Sequence, residues 1–131
     1  MPSGPTGPLL IVDGANVVGS VPDGWWRDRH AAAERLRDRL ARLADDGIPD
    51  LPGPLDIVLV VEGAARGVTS VPGVRVEAAA GSGDDLIAEL AAEARGRPCV
   101  VVTADRELRR RVTAVGATTA GPRSVHGPVS D

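Results

Sequence analysis

Four short segments rich in apolar residues lie along the chain, separated by longer stretches of unequal length. In Leu9–Val12 the apolar residues follow one another directly instead of alternating with polar ones, a pattern typical of strands buried on both faces of a sheet. A fifth and weaker run lies near the end of the chain. The predicted strands are Leu9–Val12, Leu55–Val61, Val74–Ala78, Pro98–Val102 and, for the weaker run, Ala117–Ala120.

The segments between these runs contain apolar residues at helical spacing. The longest, Trp25–Asp46, has neither proline nor glycine, and Ala33, Leu36, Leu40 and Leu43 fall on one face, which predicts an amphipathic helix ending at Gly47. Buried strands that alternate with helices predict an α/β fold with a parallel sheet and helices on both faces. The other predicted segments are a turn at Asp13–Asn16, a proline-rich connector at Ile48–Pro54, and helices at Asp84–Arg95 and Asp105–Val115.

Chain length and composition predict one globular domain. The chain has 131 residues, of which 43% are hydrophobic and 25% charged. Residues 1–8 and 122–131 are rich in proline and glycine, and we expect loose tails there. No apolar run approaches the roughly 20 residues of a membrane span, and no basic segment with an apolar run marks a secretory signal. We therefore expect a cytoplasmic protein with no membrane partner.

Several chemistries are excluded by residues that the chain lacks. It contains no lysine, which excludes a Walker A loop and Schiff-base catalysis. Cys99 is the only cysteine, which excludes an intramolecular disulfide and a cysteine-rich metal site. Gly81-Ser82-Gly83 lacks the third glycine of a dinucleotide-binding loop, because Leu86 stands at that position, so no nucleotide cofactor is expected.

Acidic residues follow the ends of the first four predicted strands. Asp13 follows the first, Glu62 the second, Asp84 and Asp85 the third, and Asp105 the fourth. Parallel strands present their carboxyl ends at one edge of the sheet, so these side chains should lie close together, where like charges repel. A divalent cation would relieve that repulsion. Ligands that are all oxygen favour Mg²⁺ or Mn²⁺ over zinc.

Helix capping is the alternative explanation for some of these acids. Ser82 and Asp85 have the spacing of a capping box, and Asp105 has the position of an N-cap. Acidic residues in a first turn also interact favourably with the helix dipole. Asp13 differs, because no helix is predicted directly after it. Capping alone therefore does not explain the whole set.

Arginines near the same edge have two interpretations. Arg66 lies in the loop after Glu62, where it either holds a substrate phosphate or belongs to the solvated surface. Arg109, Arg110 and Arg111 crowd the last predicted helix. They either meet phosphates or pair with acids such as Glu107 on an exposed face.

Three motifs in order resemble those of NYN-domain proteins, especially the YacP-like branch. The resemblance runs from about Leu9 to Gly121. It implies a PIN-like three-layer sandwich, with a central, mainly parallel sheet of four to five strands flanked by helices. The motifs are Leu10-Ile11-Val12-Asp13-Gly14-Ala15-Asn16, Gly83-Asp84-Asp85-Leu86-Ile87 and Val102-Thr103-Ala104-Asp105-Arg106-Glu107-Leu108, followed by Gly116-Ala117.

The same resemblance implies an activity, because the characterised members of this family are metal-dependent ribonucleases. It places Asp13, Asn16, Asp84 and Asp105 at the metal and substrate site. We expect Asp13, Asp84 and Asp105 to hold Mg²⁺ or Mn²⁺, with Asp85 and Glu62 as further candidates. We expect Asn16, Arg66 and Thr103 to contact substrate. Relatives often have aspartate where this chain has Glu62, and the longer side chain leaves the role of that residue open.

Net charge bears on the substrate. The formal charge is −3, whereas unaided RNA binding favours a basic surface. Either a partner delivers the RNA, the substrate is small, or the activity is weak. Two alternatives to a ribonuclease stay open: a small-nucleotide phosphohydrolase with the same metal site, and a catalytically silent module that binds RNA or protein.

Overall fold

A five-stranded parallel sheet organises the structure, a computed structural model that describes residues 7–20, 24–49 and 51–126. The strands are β1 (Leu9–Asp13), β2 (Gly47–Ile48), β3 (Leu51–Pro52), β4 (Asp56–Val61), β5 (Val74–Ala78), β6 (Cys99–Val102) and β7 (Thr118–Ala120). The helices are α1 (Gly14–Gly19), α2 (Arg29–Asp46), α3 (Gly83–Glu93), α4 (Arg106–Thr113) and α5 (Arg123–His126). The sheet has the strand order β5-β4-β1-β6-β7, while β2 and β3 form a separate antiparallel pair.

Strand β1 lies at the centre of the sheet and sets the register of its neighbours. It pairs with β4 from Leu9 opposite Asp56 to Asp13 opposite Val60. It pairs with β6 up to Val12 opposite Val102. The residues that follow β4 and β6 are therefore delivered to the same edge as Asp13.

Helices cover both faces of the sheet, which confirms the predicted three-layer α/β architecture. Alternate strand residues enter two separate cores, as parallel strands buried on both faces require. Leu10, Val12 and Leu59 pack with residues of α1, α2 and α5 on one face. Ile11 and Val60 pack with residues of α3 and α4 on the other.

The segment after β1 was predicted as a turn, and this prediction is wrong: Gly14–Gly19 forms α1. Glycines at both ends and two valines give this segment weak intrinsic helix propensity. Burial of Val17 in the core and capping by Asp13 outweigh that weakness. A Cβ at position 14 would lie 2.5 Å from the carbonyl oxygen of Val60, so only glycine allows α1 to begin this close to β4.

Other boundaries differ from the prediction for local reasons. A 3₁₀ turn occupies Trp25–Arg27, and α2 begins only at Arg29, because the Asp28 carboxylate accepts a hydrogen bond from the amide of Ala31 at 2.9 Å. The predicted connector at Ile48–Pro54 contributes to the β2–β3 pair. Helices α3 and α4 each end two residues before the predicted position.

The predicted C-terminal tail also contains structure. Arg123–His126 forms α5, which buries Val125 in the core beside α2. A short apolar contact therefore orders a segment whose composition predicted a loop. Residues 1–6 and 127–131 of the predicted tails lie outside the described residues. Within the described ranges, no helix has the length and apolar character needed to cross a membrane.

Candidate active site

The carboxylate of Asp13 lies at the end of the central strand and is almost fully buried, with 5% of the residue exposed. Its Oδ2 accepts a hydrogen bond of 2.8 Å from the hydroxyl of Thr103. Its Oδ1 accepts a longer one, 3.4 Å, from the amide of Asn16, which makes Asp13 the N-cap of α1. The expectation that no helix follows Asp13 is thus corrected, and Asp13 has a capping role as well.

Thr103 connects Asp13 to the other acids. Because its hydroxyl proton is donated to Asp13, its oxygen is left to accept the amide of Asp105, at 3.1 Å. Its carbonyl oxygen accepts a hydrogen bond from Nε of Arg109 at 2.8 Å, and its amide donates to the carbonyl of Ala120. Thr103 has no exposed surface. This placement favours a positioning role over the substrate contact expected from the sequence.

Asn16 joins α1 to the loop after β6. Its Oδ1 accepts a hydrogen bond from the amide of Ala104 at 2.9 Å. That bond fixes the orientation of the side-chain amide, since only the oxygen can accept. The NH₂ group has no hydrogen-bond partner among the described residues. It is therefore available to donate to a phosphate oxygen at the site.

Two further acids accept hydrogen bonds from the starts of helices. Asp105 caps α4 through Oδ1, which accepts from the amide of Leu108 at 3.0 Å. Glu62 reaches from the end of β4 to the start of α3, where its Oε2 accepts from the amide of Gly83 at 3.0 Å. A Cβ on Gly83 would lie 2.7 Å from that oxygen, so glycine permits this approach. The side chain of Glu62, longer than that of an aspartate, thereby connects the end of β4 to the start of α3.

The two acids that open α3 have different surroundings. Asp84 accepts no hydrogen bond through its carboxylate from any residue in the described ranges. Asp85 turns outward to an ion pair of 3.0 Å with Arg111 of α4, and its side chain is 75% exposed. Ser82 caps α3 as predicted, but its hydroxyl accepts from the amide of Asp84, so the predicted capping box with Asp85 does not form.

Electrostatics show that four carboxylates share one field. Burial raises the pKa of Asp13 above its ordinary value; the hydrogen bonds from Thr103 and Asn16 partly offset this, and the charges of Asp84 and Glu62 add to it. Burial also raises the pKa of Asp84, followed by the charges of Asp105 and Glu62, against a lowering effect of Arg111. We call Asp13, Glu62, Asp84 and Asp105 the acidic group. The structure brings these four predicted residues together.

The acidic group fits a hydrated cation better than a closed cage of ligands. No group of three histidine, cysteine, aspartate or glutamate side chains in the described part of the chain is placed to hold one metal ion. Mg²⁺, however, commonly keeps several waters and binds through one or two carboxylates. Asp84 and Asp105 lie at the starts of α3 and α4, two helices in contact with each other, and after burial the charge of Asp105 is the largest cause that raises the pKa of Asp84.

The arginines near the site differ in their surroundings. Arg66 is exposed just after the 3₁₀ turn at Gly63–Ala65, and its guanidinium pairs with no residue of the described ranges. In α4, Arg110 pairs with Glu107 as the surface interpretation predicted, Arg111 pairs with Asp85, and Arg109 holds Thr103. The sequence gives no signal for the last two contacts, because their partners come from other elements.

Comparisons with known proteins agree with this architecture. No family model matches the chain, and no curated protein matches its sequence. Among solved structures, Rae1 (YacP) from Bacillus subtilis superposes with a TM-score of 0.72 at 19% identity, over 90% of this chain and 71% of that one. The chain has the fold of Rae1 (YacP). The W164L mutant of Rae1 gives a TM-score of 0.70 at 18% identity, over 91% of this chain and 72% of the mutant's.

The likeness to Rae1 confirms the YacP-like resemblance at the level of the fold, over nearly the whole chain. This is the fold that the three motifs predict.

Thr103→Val should destabilise the protein by about 1–3 kcal/mol, because valine keeps the shape but leaves Oδ2 of the buried Asp13 and the amide of Asp105 without the hydroxyl that pairs with both. Urea denaturation followed by circular dichroism would measure this. Thr103→Ser, which keeps the hydroxyl, is the matched control and should lose less. Equal stability of the two variants would show that the hydroxyl contributes nothing.

Asp84→Asn should stabilise the metal-free protein at pH 7 and have no such effect at pH 3. The pKa of Asp84 is raised above its ordinary value of 3.8 on folding. The ionised form therefore destabilises the fold increasingly as pH rises through that value, and the penalty is absent below it. Thermal melts in chelator across this pH range would measure the difference.

Asp85→Asn is the control for this measurement, because it loses the ion pair with Arg111 and should give no gain at pH 7. If Asp84→Asn melts below the wild type at pH 7, the dominant role of Asp84 is its favourable charge in the first turn of α3, worth about 0.3–1 kcal/mol.

Proposed function

We propose that this chain is a metal-dependent ribonuclease that hydrolyses phosphodiester bonds of RNA at the acidic group. The observation that carries the proposal is the convergence of four carboxylates at one edge of the sheet: burial raises the pKa values of both Asp13 and Asp84, and repulsion from the neighbouring acids raises them further. Caps on separate helices do not require such mutual repulsion. A bound cation relieves the repulsion between the carboxylates, so the same arrangement serves as a binding site.

The cation is Mg²⁺ or Mn²⁺, and Asp84 and Asp105 are its direct ligands in this proposal. Asp84 has its carboxylate uncommitted, and Asp105 uses only Oδ1 for capping. Asp13 and Glu62 add negative charge near Asp84. When bound, such a cation supplies a water of lowered pKa and offsets charge on the phosphoryl oxygen.

Other residues of the site act on the substrate or on the acids. The NH₂ group of Asn16 donates to a phosphate oxygen, since its Oδ1 is held by Ala104. The hydroxyl of Thr103 keeps Asp13 ionisable and oriented toward the edge of the sheet. Arg66 adds a positive charge where the RNA backbone approaches. The net charge of −3 favours delivery of the RNA by a partner.

The acidic group should be required for cleavage of an unstructured RNA in Mn²⁺. Asp84→Asn and Asp105→Asn should each lower the cleavage rate by orders of magnitude, and the double variant should be little worse, because both act on one site. Asp13→Asn should also lower it. Asp85→Asn is the matched control on the same helix turn and should retain most activity. Gel assays of end-labelled RNA would measure the rates.

Other outcomes of this assay would replace the proposal. Full activity in Asp84→Asn and Asp105→Asn would remove the metal site. Release of phosphate from nucleoside triphosphates without RNA cleavage would indicate the small-nucleotide phosphohydrolase. If the protein catalyses neither reaction, with or without Mn²⁺, it is a catalytically silent binding module.

Arg66→Ala should weaken RNA binding and reduce its salt dependence. Loss of one phosphate contact to a single strand changes the slope of log K against log salt by about 0.7. Arg95→Ala is the control, because Arg95 is an exposed arginine beyond the far end of α3. Fluorescence anisotropy over a range of salt concentrations would give both slopes. Equal slopes for the wild type and Arg66→Ala would assign Arg66 to the solvated surface.

A further inference from the structure

A cavity of about 180 Å³ opens beside the acidic group, between the first turns of α1, the end of β4 and the 3₁₀ turn that follows it. Its walls are mostly apolar and come from Ala15, Val18, Val61 and Ala65. The charged residues among its described lining are Glu62 and Arg29. Since Glu62 also belongs to the acidic group, the cavity and the acidic group adjoin.

Size and wall chemistry limit what the cavity can hold. Pockets for drug-sized molecules measure roughly 300–1,000 Å³, so this cavity suits a single flat ring system and not a whole nucleotide. Small aliphatic walls together with a few polar groups match a heterocycle, which has apolar faces and a polar edge. Val61 and Ala65 are buried in the core, so the inner wall is held by packing.

We propose that this cavity, the base cavity, receives one unpaired nucleobase of the RNA. The proposal rests on the proposed function and specifies the substrate of that same site. A nucleotide carries its phosphate and its base on opposite sides of one ribose. With a phosphate at the acidic group, the attached base is one ribose away, and the base cavity adjoins the acidic group at Glu62.

A base that enters the base cavity requires a single-stranded substrate. A base in a duplex is stacked and paired, whereas proteins that read RNA by its bases take unstacked bases into pockets on their surface. The strand must therefore be unpaired at the nucleotide that enters. The described walls offer aliphatic side chains and not an aromatic platform, so the affinity comes from burial of the apolar faces of the base and from hydrogen bonds to its polar edge.

Equilibrium binding of small ligands tests the base cavity without any cleavage. Adenosine 5′-monophosphate and uridine 5′-monophosphate should bind at least tenfold more tightly than ribose 5-phosphate, which has the same phosphate and sugar but no base. That ratio corresponds to about 1.4 kcal/mol. Isothermal titration calorimetry in Mg²⁺ would measure the three affinities.

Variants that fill the base cavity should remove this preference. Ala15→Leu extends an exposed side chain of α1 into the opening and should bring the ratio close to one. Ala92→Leu makes the same change at an exposed position of α3 and should keep the wild-type ratio. Val18→Phe fills the cavity from a second wall and should also bring the ratio close to one. It replaces Ala15→Leu in the test if that variant melts well below the wild type.

Equal affinity of the wild type for nucleotides and ribose 5-phosphate would overturn the proposal that the base cavity binds a nucleobase. A preference for nucleotides that both filling variants retain would also overturn it. Either result leaves the ribonuclease proposal standing, because that proposal is measured by RNA cleavage. A base preference lost on filling, in a protein that cleaves no RNA, would support the base cavity and overturn the proposed reaction alone.

Discussion

Burial of one carboxylate at the end of the central strand is the constraint on which the rest of the site depends. Asp13 has lost most of its contact with water, and a buried charge is costly unless the protein supplies hydrogen bonds. Thr103 and the amide of Asn16 supply them. Because the single proton of the Thr103 hydroxyl goes to Asp13, the direction of the next hydrogen bond is fixed, and the amide of Asp105 must be its donor. The hydrogen bond that Asp13 requires from Thr103 thus also positions the loop that carries Asp105.

Capping and function are not competing explanations for these acids. Helices α1, α3 and α4 begin at the same edge of the sheet, and their first amides need acceptors. Asp13, Glu62 and Asp105 accept them, and the positive end of each helix dipole moderates the repulsion between the acids. Asp84 is the member whose carboxylate no described residue engages. In the proposed metal site, Asp84 is therefore the ligand that can bind without giving up a hydrogen bond to a described residue.

The strands of the five-stranded sheet, their parallel direction and the acids at their ends could be predicted from sequence, because short apolar segments and the residues that follow them are local patterns. The β2–β3 pair could not, because its prolines indicate a connector. Helix α1 could not, since Gly14 and the valines oppose a helix until Val17 is buried. The interior position of Thr103 depends on the register of β1 against β6, which no local pattern specifies. The outward turn of Asp85 depends on Arg111, a residue of a different helix. What the sequence left open are contacts between elements that are far apart along the chain.

Helix α1 connects the two parts of the proposed substrate site although it has only six residues. Its first turn is capped by Asp13, its Asn16 holds the loop before Asp105, and its Ala15 and Val18 line the base cavity. A rigid shift of this helix would therefore move the phosphate donor and the wall of the base cavity together. Gly14 limits such a shift, because its backbone lies against the carbonyl of Val60 with no room for a side chain. The close contact of α1 with β4 thus holds Asn16 and the α1 wall of the proposed base cavity in place beside the end of β4, which Glu62 follows.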